Sequence, residues 1–94
     1  MHFVIFCIDK LGITRDPQVM KAHVEYLESS KIKNVISGPL TDDSGQNVIG
    51  SLYIVEAASR QDIDEFQQKD PLAQANYWES IEIRAFDKRV DNRH

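Results

Sequence analysis

Two residues of this sequence have the types and the setting for proton transfer: His23, beside the apolar stripe of a helix, and Asp70, at an Asp-Pro corner. A histidine oriented by a carboxylate works as a general acid or base, because the carboxylate decides which imidazole nitrogen carries the proton. Residue types alone leave the plainer reading open, in which the histidine is a partly exposed polar side chain and the aspartate merely caps a turn. Ser37-Gly38-Pro39 reads either as a bend ending an edge strand or as backbone that a ligand approaches closely. Ser51, next to Gly50, offers a hydroxyl, but no Gly-x-Ser-x-Gly elbow surrounds it and no base is near in sequence. Tyr77 and Trp78 either line a cleft or pack.

Other chemistries find no footing. Cys7 is a lone cysteine inside a hydrophobic strand, which reads as a small buried hydrophobe. His2, His23 and His94 are too widely spaced for a metal motif, so no bound metal is expected. No dinucleotide glycine fingerprint or Walker loop occurs, and no cofactor is expected.

The 94 residues suit one domain, taken as 1–87 with a mobile tail over 88–94. A composition 41% hydrophobic and 28% charged is that of a globular chain. The net charge of -4, with no Lys/Arg stripe, argues against nucleic acid as a partner. The longest apolar run, Phe3 to Ile8, is too short to span a bilayer, and the N-terminus lacks the basic region and cleavage site of a signal peptide. A cytoplasmic protein without a membrane partner is expected.

The elements that must position His23 and Asp70 follow from periodicity. His2 to Asp9 is apolar on both faces and reads as a central strand. Asp16-Pro17 supplies an N-cap followed by proline at the first helical position. The helix continues to about Lys31, with Met20, Val24 and Leu27 as its stripe and Val19, His23 and Tyr26 on the flank. Val35 to Leu40 and Asn47 to Glu56 form a hairpin around the turn formers Asp42 to Gln46. Ser59 caps a second helix through Gln67 or Gln68, with Ile63 and Phe66 facing inward. Asp70-Pro71 opens a helical turn to about Asn76, and Ile81, Ile83 and Ala85 mark one face of a last strand.

The order βαββαβ is that of a ferredoxin-like α+β fold, an antiparallel sheet with its helices on one face. Two helices leave the second face bare, although the first and third strands are apolar there too. At about 25 cal/mol per Å² of apolar surface, that exposure forgoes several kcal/mol, comparable with the stability of a small domain. A homodimer packing sheet on sheet would cover it.

Taken in order, the hydrophobic first strand, His23, Ser37-Gly38-Pro39, Gly50-Ser51 and Asp70-Pro71 resemble the YciI-like, or YCII-related, family from about Phe3 to Phe86. The resemblance implies a dimeric α/β barrel, similar to muconolactone isomerase and the antibiotic-biosynthesis monooxygenases, with a cleft holding a His-Asp pair at His23 and Asp70. One member resembles a dehydrochlorinase of a chlorinated hydroxyquinone, where such a pair would serve elimination or hydrolysis. Relatives are similar in carrying an aromatic residue after the Asp-Pro pair, where this chain has Leu72.

The expectation is an enzyme for a small cyclic or unsaturated organic acid, with His23 and Asp70 catalytic and Ser37, Gly38, Pro39 and Ser51 binding substrate. The alternative is a non-catalytic ligand-binding or assembly module, and a cofactor-free monooxygenase rests on fold analogy alone.

Overall fold

The computed structural model describes residues 1–93 and contains β1 (His2–Asp9), α1 (Pro17–Ser29), β2 (Lys33–Thr41), β3 (Val48–Glu56), α2 (Arg60–Lys69), α3 (Pro71–Gln74) and β4 (Trp78–Phe86). The four strands form one sheet in the order β2-β3-β1-β4, all pairs antiparallel. This is the ferredoxin-like α+β arrangement, with the expected helical turn after Asp70 present as α3. Strand β1 is central because its apolar residues alternate onto both faces, and β2, which carries Pro39, is an edge strand.

One face of the sheet is packed. Phe3, Ile5 and Cys7 of β1, Tyr53 and Val55 of β3 and Ile83 of β4 join Ile63, Phe66 and Leu72 from the helices in a single core. The other face is largely open in the single chain. Phe6 is 37% exposed, Ile36 42% and Phe86 39%, and their strand neighbours Val4, Leu52 and Ile54 are half-buried.

The helices begin where their caps sit. The Asp16 side chain accepts from the Gln18 amide with Pro17 behind it, and Ser59 accepts from the Asp62 amide. The inward face of α1 differs from the expected stripe. Val24 is 48% exposed, and the one buried residue of the helix is His23. The helix is therefore turned toward its supposed flank, because a histidine with both ring nitrogens hydrogen-bonded can occupy a core position that an unpaired polar group cannot. The last strand starts earlier than its alternation suggests, at Trp78, and both Tyr77 and Trp78 are buried in the core. Residues 87–93 form no regular element, although Arg93 Nη1 donates to the Val35 carbonyl at 3.3 Å. His94, the end of the expected tail, lies outside the described residues.

Candidate active site

Helix α2 ends at Asp70, which caps α2 through its amide and α3 through its carboxylate. Its φ of -63° and ψ of 130° are the extended values that a following proline imposes, so the Asp-Pro corner both stops one helix and starts the next. The Oδ1 atom accepts the Leu72 amide at 3.0 Å. The same oxygen stands 2.7 Å from His23 Nδ1, with the two side chains 2% and 7% exposed. A carboxylate oxygen can only accept, so His23 Nδ1 carries its proton toward Asp70 and Nε2 faces away.

Nε2 meets the Tyr53 hydroxyl at 3.0 Å, and the two rings pack edge to face. Burial pushes the Tyr53 phenol well above its usual range, the neighbouring Ser51 hydroxyl works against the rise, and the Asp70 charge adds to it. The phenol therefore stays neutral and donates to Nε2. Ser51 lies two residues before Tyr53 on the same face of β3, 5% exposed. Beyond it stands Arg15, whose Nη2 reaches Ser51 Oγ at 3.4 Å and the Gly50 carbonyl at 3.5 Å. Asp9, at the end of β1, grips the guanidinium through Nη2 at 3.0 Å and Nε at 3.3 Å.

Asp70, His23 and Tyr53 are thus hydrogen-bonded in one run and Ser51, Arg15 and Asp9 in another, and the two meet where Ser51 and Tyr53 stand two residues apart on one face of β3, making one polar line beneath the helices. Such a line is tolerated in a core because every member has partners. At Gly50, next to Ser51, β1 and β3 approach so closely that a Cβ would fall 2.0 Å from the Cys7 carbonyl oxygen. Cys7 itself is buried, and desolvation together with the charges of Asp70 and Asp9 raises its thiol to about 12. It is no thiolate nucleophile at neutral pH.

Of the residues singled out from sequence, the structure brings together His23, Asp70 and Ser51. Ser37 and Pro39 stand opposite Tyr53 and Ser51 in the β2–β3 register, hence on the same face of the sheet, but they are exposed because the helical layer does not cover the edge strand. Gly38 pairs with Leu52 on the other face, and nothing lies within 4 Å of where its Cβ would be. Leu72 is fully buried in the core. Sequence reasoning missed Tyr53, Arg15 and Asp9. Tyr53 reads as one more apolar strand residue, and the only signals were an i, i+2 spacing from Ser51 and a charged residue closing an apolar strand. Among the described residues no three His, Cys, Asp or Glu side chains gather as a metal site, and no helix is long and apolar enough to cross a membrane.

The YCII-related domain matches residues 1–87. The chain belongs to this family. Among solved structures it is similar to 5-chloro-2-hydroxyhydroquinone dehydrochlorinase from Burkholderia phenoliruptrix AC1100, in complex with 2,5-dihydroxybenzoquinone. The two are 27% identical with a TM-score of 0.74, over 93% of this chain and 94% of that one. A protein from Arabidopsis thaliana matches over 97% of both chains at 8% identity and a TM-score of 0.49. No curated protein sequence matches. The family and its ferredoxin-like fold are those the order of motifs implied.

Proposed function

We propose that this YCII-related chain is a small-molecule acid/base enzyme of the elimination type, acting on a small cyclic or unsaturated organic acid. The observation that carries this reading is the 2.7 Å contact between His23 Nδ1 and Asp70 Oδ1, which leaves Nε2 as a neutral, oriented base. His23 is the base, Asp70 its orienting partner, and Tyr53 the hydroxyl through which the proton passes. Ser51, Ser37 and the Gly38-Pro39 backbone bind substrate along the uncovered strip of sheet beside β2.

The step balances without a cofactor. The substrate hydroxyl gives its proton to the Tyr53 oxygen as Tyr53 passes its own to Nε2. The O–H electron pair becomes a new carbonyl π bond, the adjacent C=C pair moves one bond along, and the leaving group departs from the saturated carbon there with the pair of its broken bond; where the leaving group stands on an aromatic ring, that carbon is first protonated as a neighbouring hydroxyl loses its proton, giving the keto tautomer. With chloride as the leaving group, the products are the unsaturated ketone, chloride and a proton on His23. Support comes from the structural neighbour, a dehydrochlorinase that binds a hydroxylated quinone.

The near-complete burial of the pair favours a second reading, a non-catalytic binding or assembly module in which the pair only holds α1 to the α2–α3 corner. Chloride release from 5-chloro-2-hydroxyhydroquinone separates the two. Release by wild type that falls at least about 100-fold in folded His23→Gln supports elimination, wild-type release no faster than the uncatalysed rate supports the module, and catalysed release that His23→Gln leaves unchanged removes His23 as the base. The working form is a homodimer joined through the open sheet face, where Val4, Phe6, Leu52 and Ile54 supply the apolar surface such an interface needs.

A further inference from the structure

Arg15 has a spare edge. Its Nε and Nη2 are taken by Asp9, Ser51 and the Gly50 carbonyl. Nη1, with two N–H donors, has among the described residues only the Met20 thioether at 3.5 Å, and sulfur is a weak acceptor. The side chain is 19% exposed, so the donors are neither well solvated nor well paired. A guanidinium held in this way by a carboxylate 7% exposed cannot swing to meet solvent, and its direction is fixed by the fork on Asp9. Trp78 stands opposite Asp9 in the β1–β4 register, and its indole Nε1 is buried with no hydrogen-bond partner among the described residues. This corner of the sheet therefore holds donors in excess of acceptors.

From this corner Ser51 and Tyr53 lead directly to His23. We infer that Arg15 binds an anionic oxygen of the substrate through Nη1, and so sets which substrate atom stands at the Tyr53 hydroxyl. The inference rests on the acid/base reading and narrows its substrate class to molecules with two oxygens: one ionised and held at Arg15, the other bearing the proton that is removed. Asp9 acts through Arg15 as a positioning residue, neutralising the guanidinium so that it discriminates by hydrogen-bond geometry more than by net charge.

The test is equilibrium binding, read apart from turnover, with three probes: 2,5-dihydroxybenzoquinone, whose hydroxyls ionise as vinylogous carboxylic acids; benzoate; and the neutral dimethyl ether of the first. Wild type, Arg15→Gln and Arg15→Lys are compared, each shown to be folded by its amide NMR spectrum. Wild type is expected to bind at least one anion more tightly than the ether. Arg15→Gln should lose about tenfold or more for that anion with no change for the ether, and Arg15→Lys should fall between. A loss for 2,5-dihydroxybenzoquinone identifies an ionised ring hydroxyl, and a loss for benzoate a carboxylate. Equal losses for anion and ether, no loss in Arg15→Gln, or no anion binding by wild type overturns the inference. The two readings fail separately. Anion binding through Arg15 without chloride release removes the elimination reading alone, and chloride release that Arg15→Gln leaves intact removes this inference alone.

Discussion

His23 and Tyr53 meet edge to face, ring centroids 5.8 Å apart, with the phenol hydroxyl 3.0 Å from Nε2 on the side of the imidazole opposite Asp70. The phenol thus stands at the only ring nitrogen that the carboxylate leaves basic. Tyr53→Phe keeps the ring and removes the oxygen. The expected result is a stability loss of about 1 kcal/mol in urea unfolding, the usual worth of one such bond, with turnover lowered about tenfold or more. Unchanged turnover would show that the proton reaches Nε2 without the hydroxyl.

Asp70 holds two donors with one oxygen at 2% exposure, so its replacement affects fold and site in different ways. Asp70→Ala leaves the Leu72 amide and His23 Nδ1 buried without an acceptor and should cost about 3 kcal/mol or more. Asp70→Asn retains an oxygen for the cap and should cost less while lowering turnover just as severely. Urea unfolding of the two variants checks the order, and equal costs would contradict it.

The six members of the polar line were not equally visible in the sequence. His23 and Asp70 stood out because a histidine beside an apolar stripe and an Asp-Pro corner are each unusual where they fall. The strand–helix order was legible from period two and period 3.6, and the hairpin from its turn formers. The facing of α1 was not. Val24 is a better apolar residue than His23 by type, yet His23 goes inward because Asp70, far along the chain, completes it. Arg15 lies in a loop without periodicity, and only the fold brings it to Gly50 and Ser51, a contact between distant parts of the sequence.

Gly50 and Gly38 make a paired test of the packing. A methyl at Gly50 would collide with the Cys7 carbonyl, whereas one at Gly38 meets nothing within 4 Å. Gly50→Ala should therefore cost about 3 kcal/mol or more by forcing β1 and β3 apart, and Gly38→Ala should stay within about 0.5 kcal/mol. Thermal unfolding of the two variants checks this, and similar melting temperatures would refute it.

Stability should fall in alkali for a stated reason. The Cys7 thiol is raised from 9.0 to about 12 and the Tyr53 phenol is raised as well, both chiefly by burial. A group raised in the folded state contributes stability that is complete below its unfolded value and is lost as pH climbs toward the folded one. For Cys7 that window is pH 9 to 12. The urea midpoint should hold steady from pH 7 to 9 and drop above it. Cys7→Ala, though less stable at pH 7, should show a shallower decline. An equally steep decline in Cys7→Ala would remove the thiol from the account.

On the proposed function, Asp70 holds His23 in the Nδ1-protonated tautomer with Nε2 as the base. Imidazole nitrogen NMR of wild type at neutral pH tests it most directly, with His23→Gln to assign the signals and Asp70→Asn as the comparison. Wild type should show a slowly exchanging proton on Nδ1 and an unprotonated, hydrogen-bonded Nε2. In Asp70→Asn the oxygen kept for the cap still faces Nδ1, but the carboxylate charge that favours a proton there is gone, and a larger share of Nε2-protonated imidazole is expected. A wild-type His23 with its proton on Nε2, or one averaging between tautomers and indifferent to Asp70→Asn, would contradict the claim.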